Sequence, residues 1–178
     1  ENLTIENEVV LNSSPCRVIN PGHDIECSWF LLEEGIKRND KTIIDFAKTV
    51  FDEAFERGWD KEYGGVKYFV DVYNRPCEQL EHDMKLWWPH NELLIASLMF
   101  YKQTKDEKYL DWFFKTLEYC KEHFCETEYG EWYGYLHYDN SVSTTLKGNI
   151  FKGPFHIPRF YMIMAVLDED GNIDRYAK

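Results

Sequence analysis

Apolar positions along the chain recur mostly at helical spacing, and the recurrence changes character from one segment to the next. From Gly22 to Arg38, Ile25, Trp29, Phe30, Leu32 and Ile36 form one side of a helix, Cys27 and Ser28 are small, and Glu33-Glu34 turn outward. Asn39-Asp40 ends it, and Asp40 can cap a second helix over 41–57 by accepting from free backbone N–H groups. There Ile43, Phe46, Ala47, Val50, Phe51, Ala54 and Phe55 make a one-sided stripe. Gly58 to Phe69 reads as a turn into a short strand, with Val66, Tyr68 and Val70 alternating with Lys67, Phe69 and Asp71, and Asn74-Arg75-Pro76 closes the excursion. A third helix is predicted with Pro89 at its first position, where the missing N–H costs nothing. Leu93, Leu94, Ile95, Ala96, Leu98, Met99, Phe100 and Tyr101 surround its axis, so it has to be covered on nearly every side. Thr104-Lys105-Asp106-Glu107 has the form of a capping box for a fourth helix reaching Phe124, striped by Tyr109, Trp112, Phe113, Leu117, Cys120 and Phe124.

Residues 125–155 form a long connection rich in rings, Tyr129-Gly130-Glu131-Trp132-Tyr133-Gly134-Tyr135-Leu136, which predicts a packed hairpin or a pocket wall, with Asp139-Asn140 as a turn. A last helix begins beyond His156 and carries Phe160, Tyr161, Ile163, Met164, Val166 and Leu167. Before all of these, residues 1–20 read as extended or irregular, with Val9-Val10-Leu11 apolar and Asn12-Ser13-Ser14-Pro15 as turn material; the tail from Asp168 is polar. The alternation of buried and one-sided helices fits a barrel of helical hairpins, an inner ring running one way and an outer ring returning. The expected fold is all-α. An inner ring of three helices does not close around a core, so the chain is expected to form an open array or part of a barrel.

At 178 residues the chain suits a single domain, 1–178, with a sizeable core. The net charge of -12 disfavours phosphate-backbone contact and no Lys/Arg stripe is interleaved with aromatics, so nucleic acid is not an expected partner. Apolar runs fall short of the roughly 20 residues that span a bilayer, and neither a signal peptide nor a membrane partner is expected. Cysteines 16, 27, 77, 120 and 125 are odd in number and lack a CxxC pair, which fits reduced thiols in a cytoplasmic setting.

Candidate chemistry sits at three helix starts. His23 is followed by Glu26, His156 by Arg159, and His90 by Glu92. If the three helices run the same way, their N-termini share a rim and these residues face one pocket. An imidazole at a helix N-terminus feels the positive end of the dipole, which favours the neutral base. Two such groups on opposite faces of a substrate could remove a proton from an acidic carbon and return it to the other face. Glu26 could orient His23, and Arg159 could hold an oxygen on which enolate charge develops. Trp29, Trp88 and Trp132 are candidate platforms for a sugar ring. Helix capping or packing explains a lone histidine equally well; His82, His123 and His137 are assigned to surface or packing, and His90 stands beside the buried helix start. Glu26, Glu92 and Glu131 could instead be the acid and base of a glycoside-cleaving site. With no HExxH and no His/Cys cluster of metal spacing, no metal site is expected, and no cofactor either.

These stretches together resemble the N-acylglucosamine 2-epimerase (renin-binding protein) family. The motifs carrying the resemblance are Asn20-Pro21-Gly22-His23-Asp24-Ile25-Glu26 with Trp29-Phe30-Leu31-Leu32, and Gly58-Trp59-Asp60 with Gly64-Gly65. Three more follow in order: Met84-Lys85-Leu86-Trp87-Trp88-Pro89-His90-Asn91-Glu92, the aromatic run 129–136, and Lys152-Gly153-Pro154-Phe155-His156-Ile157-Pro158-Arg159. The resemblance implies an (α/α)6 barrel, of which this chain would be roughly the C-terminal half, with short β-hairpins in its long loops. It implies interconversion of N-acetylglucosamine and N-acetylmannosamine, with His23 and His156 catalytic and the family's glutamates and arginine falling on Glu26, Glu92 and Arg159; with Trp88 and Trp132 as ring platforms, these are the residues expected to bind the amino sugar. Cellobiose 2-epimerases and mannose or glucose isomerases share the two-histidine plan, though Lys-Leu-Trp-Trp-Pro-His is closer to the N-acylglucosamine branch. Animal members respond to nucleotides, but no Gly-rich phosphate loop is visible, so no nucleotide site is expected. Family members are longer, which leads to the expectation that this chain alone has little or no epimerase activity and exposes apolar surface where the remainder would sit. The full-length protein is expected to form a homodimer, or this chain to associate with its missing N-terminal half. A helical-barrel glycoside hydrolase and a non-catalytic binding protein remain the alternative readings.

Overall fold

A computed structural model describes residues 12–167. The run Val9-Val10-Leu11 and the polar tail from Asp168 lie outside the described residues. Ser14-Pro15 opens a single helical turn, α1 (Ser14–Arg17), followed by β1 (Val18–Ile19). Four long helices and one shorter helix then carry the fold: α2 (Pro21–Arg38), α3 (Lys41–Gly58), α4 (Trp87–Thr104), α5 (Glu107–His123) and α6 (His156–Leu167). Between α3 and α4 lie β2 (Val70–Asp71) and β3 (Lys85–Leu86), and β4 (Tyr135–Leu136) lies between α5 and α6. The strands form two antiparallel pairs, β1 with β2 and β3 with β4, so the short β-structure ties distant loops together. The predicted strand from Val66 is broken up: Trp59 to Val66 and Lys67 to Lys85 are isolated bridges, and only its end, Val70–Asp71, forms a ladder as β2.

The caps explain where the helices begin and end. Asn20 accepts from the His23 N–H (3.1 Å), Asp40 from Thr42 and Ile43, and Asp106 from Lys108. Asn39 (φ 54°) and Lys105 (φ 59°) close α2 and α4 in the left-handed region. Two boundary expectations are corrected. The Thr104 capping box does not form: Thr104 Oγ1 donates to Phe100 O within α4, and Asp106 caps α5 instead. Helix α4 starts at Trp87, two residues before Pro89. Proline is still tolerated there, because the first four helical N–H groups have no intrahelical partner.

Helix α4 is the axis of the molecule. It is buried from Trp87 through Leu98 and packs on α2, α5 and α6. Helices α3 and α5 close the outer layer, where Phe55 stacks on Trp112 (3.8 Å, 12°) and Phe51 on Tyr109 and Phe100. Thus α2, α4 and α6 form the inner row and α3 and α5 the outer one. The inner row is covered less completely than the pattern predicts: Phe30, Ile36, Tyr161, Met162 and Val166 are exposed, and Phe160 is the buried residue of α6. These side chains keep between 45% and 64% of their surface exposed, with Phe30 touched by the Trp29 ring and Tyr161 by the Phe160 ring.

Candidate active site

The starts of α2, α4 and α6 come together as the motifs require. A cavity of about 540 Å³ is lined by His23 and Glu26 from α2, Leu86, Trp87 and Trp88 from the start of α4, and His156 from α6. Trp88 connects the two histidines, with its ring centroid 4.9 Å from that of His23 and 5.5 Å from that of His156. Helix α2 can approach so closely because residue 22 is glycine. A Cβ there would lie 2.7 Å from Trp88 Cη2 and 2.9 Å from Pro89 Cγ.

Behind the cavity wall is a charged cluster. Glu92 has no exposed side-chain surface, yet three donors reach it. Trp29 Nε1 donates to Oε2 at 2.9 Å; Arg159 Nη2 (2.5 Å) and His156 Nδ1 (2.8 Å) meet at Oε1. The same Arg159 nitrogen donates to Glu26. A carboxylate only accepts, and it lies nearer to Nδ1 than Arg159 Nη2 does (3.3 Å), so His156 carries its proton on Nδ1 and presents Nε2 as the free nitrogen. Burial opposes the charge of Arg159, but the hydrogen bonds to Glu26 and Glu92 override it and raise the guanidinium pKa above its ordinary value. Ligand atoms of Glu26, Glu92 and His156 lie within 4.8 Å of one another, the spacing a cation would need. Arg159 already stands between the two carboxylates, so the cation this cluster holds is the guanidinium.

The structure therefore sorts the expected site residues. His23, His156, Glu26 and Trp88 line the cavity. Glu92 and Arg159 are not among the lining residues; they hold His156 and Glu26, with Arg159 Nη2 donating to both carboxylates. Trp132 lies apart from them, buried against Phe124 (6.0 Å, 16°) and Phe160 (6.4 Å) and not among the residues that line this cavity. Trp29 is likewise buried, with its N–H on Glu92, and offers no open face.

Tyr68, Glu81, Met84, Tyr135 and Phe151 complete the lining and had no assigned role in the sequence. Tyr135 lies in the ring-rich run that predicted a pocket wall, whereas Tyr68 belongs to the alternating run after α3, which pointed only to a strand, and Glu81 lies beyond it, where no periodicity marks it. Burial, then the nearby Glu81 and Tyr135, push the Tyr68 phenol pKa up, so it remains a hydrogen-bond donor.

His90 is a different kind of residue. It is fully buried, its Nδ1–H donates to Leu86 O (2.6 Å) and its Nε2 accepts from the Val66 N–H (2.9 Å). Lys85, beside it, is the largest surprise. Its side chain has no exposed surface and pairs with Asp60 at 2.9 Å, while Tyr138 O and Asn140 Oδ1 accept from its ammonium. A lysine next to the apolar Leu86-Trp87-Trp88 gives no local sign that it is buried.

The comparisons agree with this geometry. The family model described as N-acylglucosamine 2-epimerase matches residues 6–156. The N-acylglucosamine 2-epimerase of Rattus norvegicus is 44% identical over 144 residues, covering 79% of this chain and 34% of that protein. That of Bos taurus is 46% identical over 144 residues, covering 79% and 33%. A crystal structure of D-mannose isomerase superposes with a TM-score of 0.75 at 26% identity, covering 83% of this chain and 37% of the other. The matched part of the chain thus spans about a third of the length of the curated relatives. It shares their helical-toroid fold, and the two histidine motifs and the tryptophan pair that build the cavity fall within or at the edge of the matched region. With fold, motifs and sequence identity in agreement, the chain belongs to the N-acylglucosamine 2-epimerase family.

Proposed function

We propose that the protein carrying this chain is a sugar 2-epimerase that interconverts N-acetylglucosamine and N-acetylmannosamine by proton transfer at C2. The observation that carries the reading is that His23 and His156 line one cavity on either link of Trp88, with His156 Nδ1 held by buried Glu92. The C2–H of a closed ring is too weak an acid for imidazole, so the substrate is the opened aldehyde. One imidazole takes the C2 proton, the C–H electrons move into the C1 carbonyl to form an enolate, and the other imidazole delivers a proton to the opposite face as the carbonyl re-forms. Trp88 supports the apolar face of the sugar chain, and the phenol of Tyr68 is a donor for a substrate oxygen. The names of the rat and bovine relatives support the amino sugar.

The likeness to D-mannose isomerase favours one second reading. From the same enolate, an unsubstituted aldose can lose its C2–OH proton and be protonated at C1, giving a ketose; an amide at C2 blocks that route. A glycoside hydrolase gains no support from Glu26 and Glu92, because both carboxylates are engaged by Arg159 and Glu92 is shut behind the wall. The test is solvent-deuterium incorporation at C2 of N-acetylmannosamine by the whole protein, with mannose, glucose and cellobiose in parallel. Exchange lost in both His23→Ala and His156→Ala is the expected result. Exchange with mannose but not the amino sugar would move the isomerase reading forward, and no exchange with any sugar would leave a binding protein.

A further inference from the structure

Glu92 is the least accessible charged group of the site, and its two oxygens are treated differently. Oε1 is shared by Arg159 Nη2 and His156 Nδ1, whereas Trp29 Nε1 is the donor on Oε2. Trp29 is itself buried at 5% exposure, and its indole ring lies under the Arg159 guanidinium at 5.4 Å. On α2 it follows Glu26 by three residues, so one face of that helix supplies both a cavity-lining carboxylate and the donor behind Glu92. Packing alone does not account for the indole N–H: without it, Oε2 would be a carboxylate oxygen shut away from water with no donor.

We propose that Trp29 is a positioning residue for the proton transfer, acting through Glu92 on His156. The proposal rests on the epimerase reading above. Anchoring Oε2 stops rotation of the carboxylate, so Oε1 stays aimed at Nδ1. That bond fixes both the tautomer and the tilt of the imidazole, and Nε2 faces the substrate as the free base. Without the anchor, Oε2 competes for the Arg159 and His156 donors, and the imidazole loses its single orientation.

The test is Trp29→Phe, which keeps an aromatic ring under Arg159 and removes the N–H. A second variant, with β-(3-benzothienyl)alanine at position 29, keeps the full indole shape with sulfur in place of the N–H and serves if the first does not fold. In the whole protein, kcat for exchange at C2 of N-acetylmannosamine is expected to fall about tenfold or more with KM unchanged. Independently of any substrate, ¹⁵N NMR of His156 is expected to change from a single Nδ1–H tautomer to a mixture. A loss of stability with kcat and the tautomer unchanged would overturn the proposal and leave Trp29 as packing. Failure of the wild type to exchange any sugar would instead strike the epimerase reading, and the tautomer measurement would still decide what Trp29 does to His156.

Discussion

His90 and His156 lie on neighbouring inner helices, and the fold uses them in opposite ways. His90 is wedged against Tyr119 (5.0 Å, 15°) and Phe124 (4.8 Å), and both ring nitrogens are consumed by backbone groups. Burial is the main reason its pKa is pushed down to about 3. His156 is partly exposed, commits Nδ1 to a carboxylate, and keeps the other nitrogen for the cavity. A histidine in this fold becomes available for chemistry only where the structure leaves one nitrogen unspent.

The largest expected effect separates the two directly. His156→Ala should reduce C2 exchange by about 10²–10⁴-fold, the usual contribution of a positioned acid or base. His90→Ala should instead cost about 3 kcal/mol in a denaturant titration, because it empties a core site and orphans the Val66 N–H and the Leu86 carbonyl. Reversed outcomes would exchange the roles assigned here.

Next in size is the buried Asp60–Lys85 pair, the structural counterpart of the Glu92–Arg159 pair. Desolvation opposes the Asp60 charge, but hydrogen bonds from Lys85 and the Glu62 N–H outweigh it and lower its pKa. Asp60→Asn should destabilise by about 3–5 kcal/mol by leaving the ammonium without its counter-charge. The double variant with Lys85→Met should recover most of that loss, and a purely additive cycle would show that the two charges are not coupled.

The pH dependence is smaller. Because folding depresses the pKa of His90, the unfolded chain takes up a proton below its ordinary value of about 6.5 while the folded one does not. This contribution is intact at pH 7 and is lost as the pH falls toward about 3. Between pH 7 and pH 5 it amounts to about 2 kcal/mol, and the His90→Ala protein should lack that part of the slope. The smallest effect is expected for Trp132→Phe. It should cost about 1 kcal/mol through its stack on Phe124 and leave KM for the sugar unchanged; a several-fold rise in KM would return Trp132 to the binding site.

The spacing of Ile25, Trp29 and Leu32, of Phe51 and Phe55, and the all-round apolar run from Leu93 were enough to place the helices and to mark α4 as the axis. The histidines at the starts of α2 and α6 likewise pointed to a shared rim. Local pattern carries this much because helix formation and one-sided burial depend on near neighbours in the chain. Only the tertiary structure decided which polar groups touch. Glu92 collects donors from positions 63, 64 and 67 residues away, Lys85 disappears behind Asp60, and Trp132 turns inward to Phe124 while Tyr68 and Glu81 reach the cavity. Hydrogen bonds and ion pairs of that range are set by how whole helices and loops dock, and a carboxylate's partners leave no periodic mark in its own segment.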